Sequence, residues 1–192
     1  MKKAFTIVEV SILFVIFLIV AFLVAPLSLN DKVNEKNISR WKDVQPDFSN
    51  IFYSINLKKD EEGFDFQKSF EDIMNAEFKG EIKPYKITYM NGTFPNATYR
   101  FNDYRQTIAN ATVAYKLLDD QNSSLKGLLM YDVNGSMGPN VWGKDVFGFN
   151  IYADKFEPFC KNNSVSTQRQ DCDSNGTGLC CSNYYLTGGN FD

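Results

Sequence analysis

The chain has 192 residues, 44% of them hydrophobic, and a formal net charge of −3 at neutral pH. Its size and composition fit an ordinary globular domain, and its acidic balance gives no electrostatic reason to bind nucleic acid directly. The sequence contains no histidine, which excludes Ser-His-Asp and Cys-His nucleophilic sites and every histidine-ligated metal site. The charged residues show no active-site spacing, so we expect no enzymatic activity.

The N-terminal segment is an apolar run that contains one carboxylate. Lys2 and Lys3 precede the run, Glu9 interrupts it, and it continues to residue 29. A helix over residues 5–29 would be long enough to cross the hydrocarbon core of a bilayer, about 30 Å thick. The two lysines place the N-terminus in the cytoplasm by the positive-inside rule. An intramembrane carboxylate costs on the order of 3 kcal/mol, so we expect Glu9 to have a partner.

A family resemblance identifies that partner. The processing site of type IV pilins and type II secretion pseudopilins resembles the segment Lys3-Ala4-Phe5-Thr6-Ile7-Val8-Glu9. The resemblance implies that a prepilin peptidase cleaves between Ala4 and Phe5 and methylates the new N-terminus at Phe5. Glu9 would then pair with the amine of a neighbouring subunit in a filament. Pro26 lies where many such pilins have a helix-kinking proline, whereas Ala4 replaces the usual glycine.

Two alternatives apply to the same N-terminal segment. A secretory signal peptide also has a basic start and an apolar core, and Ala25 could precede its cleavage site. However, Leu23 fits poorly where a small residue is preferred, and the apolar run exceeds the usual 7–15 residues. A plain membrane anchor with an incidental glutamate is the second alternative.

The next segment has the apolar spacing of a helix that packs on a sheet. Its apolar residues recur at steps of three and four, at Val33, Ile38, Trp41, Val44, Phe48, Ile51, Phe52 and Ile55. We expect this helix to continue the N-terminal one, with a local kink at Pro46. Asp65 followed by apolar residues predicts a second, short helix.

Strands follow from residue 85 onward. The alternation over 85–89 predicts a strand that stops at the turn pair Asn91-Gly92. Further strands are predicted over 112–117, 127–132 and 146–152, and the segment between residues 91 and 112 has no clear pattern. One long helix followed by four short strands indicates an α+β domain.

A glycine-rich loop separates the last two predicted strands. Its pattern of Asp-x-Asn-Gly, Gly-Pro-Asn and Gly-x-Asp-x-Phe over 132–147 is similar to the C-terminal half of a group of bacterial pilin-like proteins. Asp132, Asn134 and Asp145 are candidate Ca²⁺ ligands, since calcium prefers carboxylate and amide oxygens. The spacing is not that of an EF-hand. The alternative is that these side chains cap turns through local backbone hydrogen bonds.

All four cysteines lie in the last third of the chain, at Cys160, Cys172, Cys180 and Cys181. In an oxidising compartment an even number of cysteines predicts two disulfides. Because adjacent cysteines are poorly placed to pair with each other, Cys160 and Cys172 each join one member of the adjacent pair, in either arrangement. A zinc site is the competing interpretation, but the spacing lacks paired Cys-x-x-Cys knuckles.

The combined prediction is an α+β, pilin-like fold. A leader at 1–4 and a transmembrane assembly helix at 5–29 precede a globular domain at 30–192. The long N-terminal helix, half of it membrane-spanning, packs on a small antiparallel sheet. A disulfide-rich loop forms the C-terminal part of the fold. The resemblance implies bacterial inner-membrane insertion with a single pass, and a periplasmic or extracellular domain in a filament. Its implied partners are other pilin subunits, prepilin peptidase and an assembly platform with its ATPase.

Two further functions stay open at this stage. A minor pilin or membrane-anchored adhesin would use its disulfide-rich loop and glycine-rich loop for recognition. A eukaryotic membrane glycoprotein is a formal rival because eight Asn-x-Ser/Thr sequons occur, although an asparagine-rich composition produces such triplets by chance.

Overall fold

The computed structural model describes residues 7–78, 80–107, 110–119 and 123–190, with backbone but no side chains at residue 9 and residues 22–31. The chain divides into two compact units, Met1–Lys36 and Asn37–Asp192. A helix, α1 (Ile7–Leu57), begins in the first unit and ends in the second. The remaining helices and strands all belong to the second unit.

The second unit contains three further helices and eight strands. In chain order they are α2 (Phe66–Glu77), β1 (Glu81–Ile82), β2 (Ile87–Thr88), β3 (Tyr104–Gln106), β4 (Thr112–Leu117), β5 (Leu125–Asp132), β6 (Asn140–Val141), β7 (Val146–Tyr152), β8 (Phe156–Pro158), α3 (Val165–Asp171) and α4 (Cys181–Leu186). Six strands form an antiparallel sheet in the order β1-β3-β4-β5-β7-β8. The other two, β2 and β6, form a small parallel pair.

One face of the large sheet packs against the part of α1 that lies in the second unit. Trp41 is fully buried there, and its ring lies 4.9 Å from that of Phe147 and 4.7 Å from that of Phe149. The predicted stripe is confirmed at seven of its eight positions, Ile38, Trp41, Val44, Phe48, Ile51, Phe52 and Ile55. The prediction is wrong at Val33, because this residue belongs to the first unit and is 53% exposed. The helix continues through Pro46.

The opposite face of the sheet is also buried. Side chains alternate between faces along a strand, so Leu128 and Met130 of β5 point away from Leu129 and Tyr131. Leu128 and Met130 pack with Trp142 and with aromatic residues from the segments before β3 and after β8. The central strands are therefore apolar on both sides, and Asp132 shares this second face.

The short second helix and three strands agree with the sequence prediction. Asp65 caps α2, with its Oδ1 accepting the N–H groups of Gln67 at 2.9 Å and Lys68 at 3.2 Å. The strands β4 and β7 match the predicted ranges, and β5 begins two residues earlier. The strand predicted over 85–89 is reduced to β2. The strands β1, β3, β6 and β8 were not predicted.

The predicted membrane-spanning half of the N-terminal helix is wrong. Among the residues that the structure describes, no helix is both long and apolar enough to cross a membrane. The single-pass inner-membrane location and the fold class built on it are therefore not supported. The disulfide-rich segment also contains two helices, α3 and α4, and is more than a loop.

Candidate functional site in the loop between β5 and β7

The loop between β5 and β7 brings the three candidate calcium ligands together. Asp132 is the last residue of β5, Asn134 lies two residues further on, and Asp145 directly precedes β7. The two aspartates are 0% and 3% exposed. Burial of a carboxylate is costly unless hydrogen bonds or a counter-ion compensate it. The partners of these oxygens therefore decide what the loop can do.

A chain of hydrogen bonds connects the two carboxylates. Oδ2 of Asp132 accepts the Tyr85 hydroxyl at 2.8 Å, and Oδ1 accepts the backbone N–H of Asn134 at 3.1 Å. The side-chain amide of Asn134 donates to Oδ2 of Asp145 at 3.2 Å. The other oxygen of Asp145 accepts the N–H of Val141 at 2.6 Å. Asn134 thus bridges the carboxyl groups of Asp132 and Asp145.

Burial raises the pKa of both carboxyl groups. Burial and then the like charge of Asp145 raise the pKa of Asp132 to about 8. Burial raises the pKa of Asp145 to about 6, against the lowering effect of the Val141 N–H. The pKa of the Tyr85 hydroxyl is also raised, first by burial and then by the neighbouring charge of Asp132. Without a cation, Asp132 therefore keeps its proton over most of the neutral range.

Asn140 is a fourth polar side chain at this site, and it is not among the ligands predicted from the sequence. It is 8% exposed, and one end of its amide faces Oδ2 of Asp132 at 3.1 Å and the carbonyl oxygens of Gly135 at 3.1 Å and Met137 at 3.3 Å. With the nitrogen at this end, the amide donates to all three atoms. The sequence signal was the Gly-Pro-Asn triplet that follows Asp-x-Asn-Gly.

Gly135 directs one of these oxygens into the cluster. Its φ is +75°, which glycine adopts without steric cost. A Cβ at this position would also collide with the backbone carbonyl of Asn110. The glycine of the Asp-x-Asn-Gly pattern is therefore required by the backbone that carries the oxygen, independently of any ligand.

No protein family, curated protein or solved structure matches this chain. Within the described residues, no group of three or more histidine, cysteine or acidic side chains is placed to hold a metal ion. The loop between β5 and β7 supplies only two carboxylates, and its other oxygens are amide and backbone oxygens. Any function must therefore be argued from the chain's own residues.

The predicted assembly residues lie in the N-terminal part of the chain. Ala4 and Phe5 are outside the described residues, and so are the side chains of Glu9 and Pro26, whose backbone is part of α1. The described side chains around them form an apolar surface. Over residues 7–20 of α1, twelve large apolar residues are between 42% and 87% exposed, namely Ile7, Val8, Val10, Ile12, Leu13, Phe14, Val15, Ile16, Phe17, Leu18, Ile19 and Val20.

The four cysteines form two disulfides, as the sequence predicted. The bonds join Cys160 to Cys180 and Cys172 to Cys181, which selects one of the two pairings left open. No cysteine is free, so no thiolate remains to bind zinc. Two disulfides that start from the adjacent residues Cys180 and Cys181 thus close the predicted disulfide-rich C-terminal segment.

Polar side chains reinforce the disulfide-bonded region. Asp171 accepts the backbone N–H of Thr177 at 2.8 Å and that of Cys180 at 2.9 Å. The amide of Gln168 donates to the carbonyl of Cys160 at 3.0 Å, and its oxygen accepts the side-chain amide of Asn183 at 3.0 Å. These bonds satisfy groups that burial would otherwise leave without partners, and they fix the start of α4.

Proposed function

We propose that this chain is a structural subunit of a type IV pilus or type II secretion pseudopilus that polymerises through the N-terminal part of α1. The observation that carries the proposal is the exposure of the twelve large apolar side chains over 7–20. An apolar surface of this extent is a feature of interaction sites. Its occupant in a filament would be the same segment of neighbouring copies.

The apolar area is large enough to support such association. Complete burial of one large apolar side chain is worth about 1.5–3 kcal/mol. Half of that gain over twelve side chains is about 9–18 kcal/mol, and association costs roughly 4–15 kcal/mol in lost freedom and ordering. Helix packing can therefore supply cohesion without any contribution from the second unit.

The resemblance of residues 3–9 to a prepilin processing site supports the same function. In this proposal, cleavage after Ala4 creates an amine on Phe5, and Glu9 of a neighbouring subunit pairs with that amine. A buried charge pair is weak evidence for stability, but removing one partner leaves an uncompensated charge. Its role here would be to set the axial register of subunits.

Intact-mass measurement on protein from the native host tests the processing step. We expect loss of the first four residues and an added methyl group on Phe5. An unprocessed N-terminus in a host that has a prepilin peptidase would reject the pilin interpretation.

Substitution of Glu9 tests assembly. We expect Glu9→Gln to reduce sheared filaments about tenfold or more, which corresponds to a loss of about 1.4 kcal/mol or more per subunit contact. Glu35→Gln is the matched control, since it makes the same charge change at an exposed position of the same helix. Normal filaments from Glu9→Gln would contradict the proposed charge pair.

The second candidate function is a minor pilin or adhesin-like binding module. The disulfide-bonded region favours it, because α3 and α4 are held by two bonds and border an open groove lined by Arg169, Asp173 and Tyr184 among others. Abundance separates the two functions. A major subunit dominates sheared filaments, and a minor subunit is scarce in them.

A further inference from the structure

We propose that an aromatic groove with two cationic side chains binds the acidic turn between α1 and α2 of a second copy of this chain. The groove, here called the cationic groove, is lined by Lys86, Arg100 and the rings of Tyr85, Phe94, Tyr99 and Tyr104. The acidic turn consists of Asp60, Glu61 and Glu62. The contact goes beyond the proposed filament function, because it joins the second units of two copies and does not involve residues 7–20.

The segment that carries the groove has a charge opposite to that of the whole chain. Residues 82–102 contain three basic residues and no acidic one, whereas the chain has a net charge of −3. Nζ of Lys86 lies 4.7 Å from the centroid of the Phe94 ring, and Arg100 donates to the carbonyl of Pro95 at 3.2 Å. No ion pair found among the described residues involves either cation. An acidic partner would therefore meet two cations whose charge the described part of the chain does not neutralise.

The size and the side chains of the groove favour a protein partner over a small molecule. Its volume is about 240 Å³, below the roughly 300–1,000 Å³ of typical small-molecule sites. Tyrosine, phenylalanine and arginine are enriched in protein interfaces, where they anchor the partner. Phe94 is 57% exposed, so a partner that covers it removes apolar area from water. The expected occupant is therefore a short protein segment that supplies carboxylates.

The groove is held in shape without a ligand. The Tyr85 hydroxyl donates to Asp132 at 2.8 Å, and the Tyr85 ring lies 4.7 Å from that of Tyr104. Because its pKa is raised to about 8 by burial, Asp132 adds little opposing charge at neutral pH. Oδ1 of Asn96 accepts the backbone N–H of Tyr99 at 3.3 Å. A preformed site loses little conformational entropy on binding, which favours affinity.

The acidic turn is exposed and ordered. Asp60, Glu61 and Glu62 are all exposed, and none of them belongs to an ion pair among the described residues. The N–H of Phe64 donates to the Glu61 carbonyl at 3.1 Å, and the Phe64 ring packs on the core. Over 58–77, acidic residues outnumber basic ones by seven to three. The charge of the turn is therefore complementary to that of the groove.

The groove and the turn belong to opposite faces of the six-stranded sheet. Phe64, beside the turn, packs with the cluster that contains Trp41, whereas Tyr85 and Tyr99 pack with the cluster that contains Trp142. The sheet thus separates the two surfaces of one chain, and the turn that enters a groove comes from another copy. A contact between two different surfaces generates rings or open filaments.

Charge reversal in the full chain tests the contact. Mild detergent should cover the apolar side chains over 7–20, so that association between second units is measured. We expect Lys86→Glu with Arg100→Glu to weaken self-association at least about tenfold, because like charges then face each other. Glu61→Lys with Glu62→Lys should do the same. Sedimentation velocity measures the association, and added salt should weaken it in the parent chain.

A mixture of the two variants gives the decisive result. The groove of the first variant then carries carboxylates and the turn of the second carries amines, so the mixture should recover most of the association that each variant alone has lost. Misfolding would not be rescued by mixing. Lys36→Glu with Lys42→Glu is the control, since it makes the same charge change at exposed residues of α1 and should leave association unchanged.

Cross-linking identifies the groups in contact. A carbodiimide should join Nζ of Lys86 to the carboxyl carbon of Glu61 or Glu62 as an amide, and a mixture of isotopically labelled and unlabelled chains should show by mass spectrometry that the bond joins two copies. This measurement needs no filament. The cross-link without filaments in the native host would reject the proposed function and support the contact, and filaments without the cross-link would do the reverse.

Three results would overturn the proposal. The first is a parent chain that shows neither self-association nor the cross-link. The second is a pair of charge-reversal variants that lose association and do not recover it when mixed. The third is unchanged self-association in the groove variant together with lost binding to polygalacturonate, which would assign the groove to acidic saccharides.

Discussion

Two parts of α1 use apolar residues in different ways. Over 7–20 the large side chains are exposed around the helix, whereas over 38–55 apolar residues recur on one face and are buried against the sheet. The first pattern leaves apolar side chains exposed among the described residues, and the second buries them against the sheet. The difference shows that apolar content alone does not define a core, because the spacing determines whether one fold can bury it.

The largest expected effect comes from the buried part of α1. Trp41→Ala should lower the free energy of unfolding by about 3–5 kcal/mol, because it removes a fully buried indole and leaves a cavity. Urea unfolding measures the change. Tyr53→Ala, at a 65% exposed position of the same helix, should change it by less than about 0.5 kcal/mol. Equal effects of the two substitutions would contradict the division of α1 described above.

The second-largest effect is expected from the disulfide next to α4, because Ser182 of α4 accepts a hydrogen bond from Trp41 in the buried part of α1. Replacing Cys172 and Cys181 with serine opens a disulfide with a sequence separation of 9 residues. We expect a loss of about 2–3 kcal/mol from the greater entropy of the unfolded chain. Chemical denaturation under oxidising conditions measures it. A loss below about 0.5 kcal/mol would mean that hydrogen bonds alone fix α4.

The free energy of unfolding of the second unit should change with pH by about 2 kcal/mol, and the exposed part of α1 should not contribute to this change. The raised pKa of Asp132, about 8, means that the folded state binds more protons than the unfolded state between about pH 4 and pH 8. The free energy of unfolding should therefore fall as pH rises from 5 to 7, at up to about 1.4 kcal/mol per pH unit.

Denaturation in EGTA at several pH values measures this slope. Asp132→Asn should reduce the slope, because the variant carries no carboxyl at that position. An unchanged slope in Asp132→Asn would assign the pH dependence to other groups.

The smallest effect on stability is expected from the exposed part of α1. Phe17→Ala should change the unfolding of the second unit by less than about 0.5 kcal/mol, since its side chain is 67% exposed. The same substitution should reduce filament yield, because it removes apolar area that neighbouring copies would bury. Filament yield equal to that of the parent chain would argue against assembly through this surface.

Long periodic segments were predictable from the sequence. The stripe over 38–55, the cap at Asp65 and the strands β4, β5 and β7 each have a local pattern that packing reinforces. The strands β1, β3, β6 and β8 have two or three residues each, so no period can show in them. Their pairing depends on distant neighbours, which local propensity does not report.

The candidate site was predictable only in part. The two aspartates and Asn134 were predictable as candidate oxygen ligands in a glycine-rich loop. Asn140 was not, because its role depends on how the backbone turns two carbonyls toward its amide. The membrane-spanning prediction over residues 5–29 rested on apolar composition alone, and no helix of the described part of the chain is both long and apolar enough to cross a membrane.

Ser182 near the C-terminus contacts both layers of the second unit. Its backbone carbonyl accepts the indole N–H of Trp41 at 2.9 Å, and its hydroxyl oxygen accepts the N–H of Gly148 at 2.9 Å. Both disulfides also close on the two residues just before it. During synthesis, the helix and the central strand therefore emerge long before the residue that joins them. A ribosome stalled before this serine would carry a nascent chain that contains Trp41 and Gly148 but lacks the residue to which both of them donate a hydrogen bond.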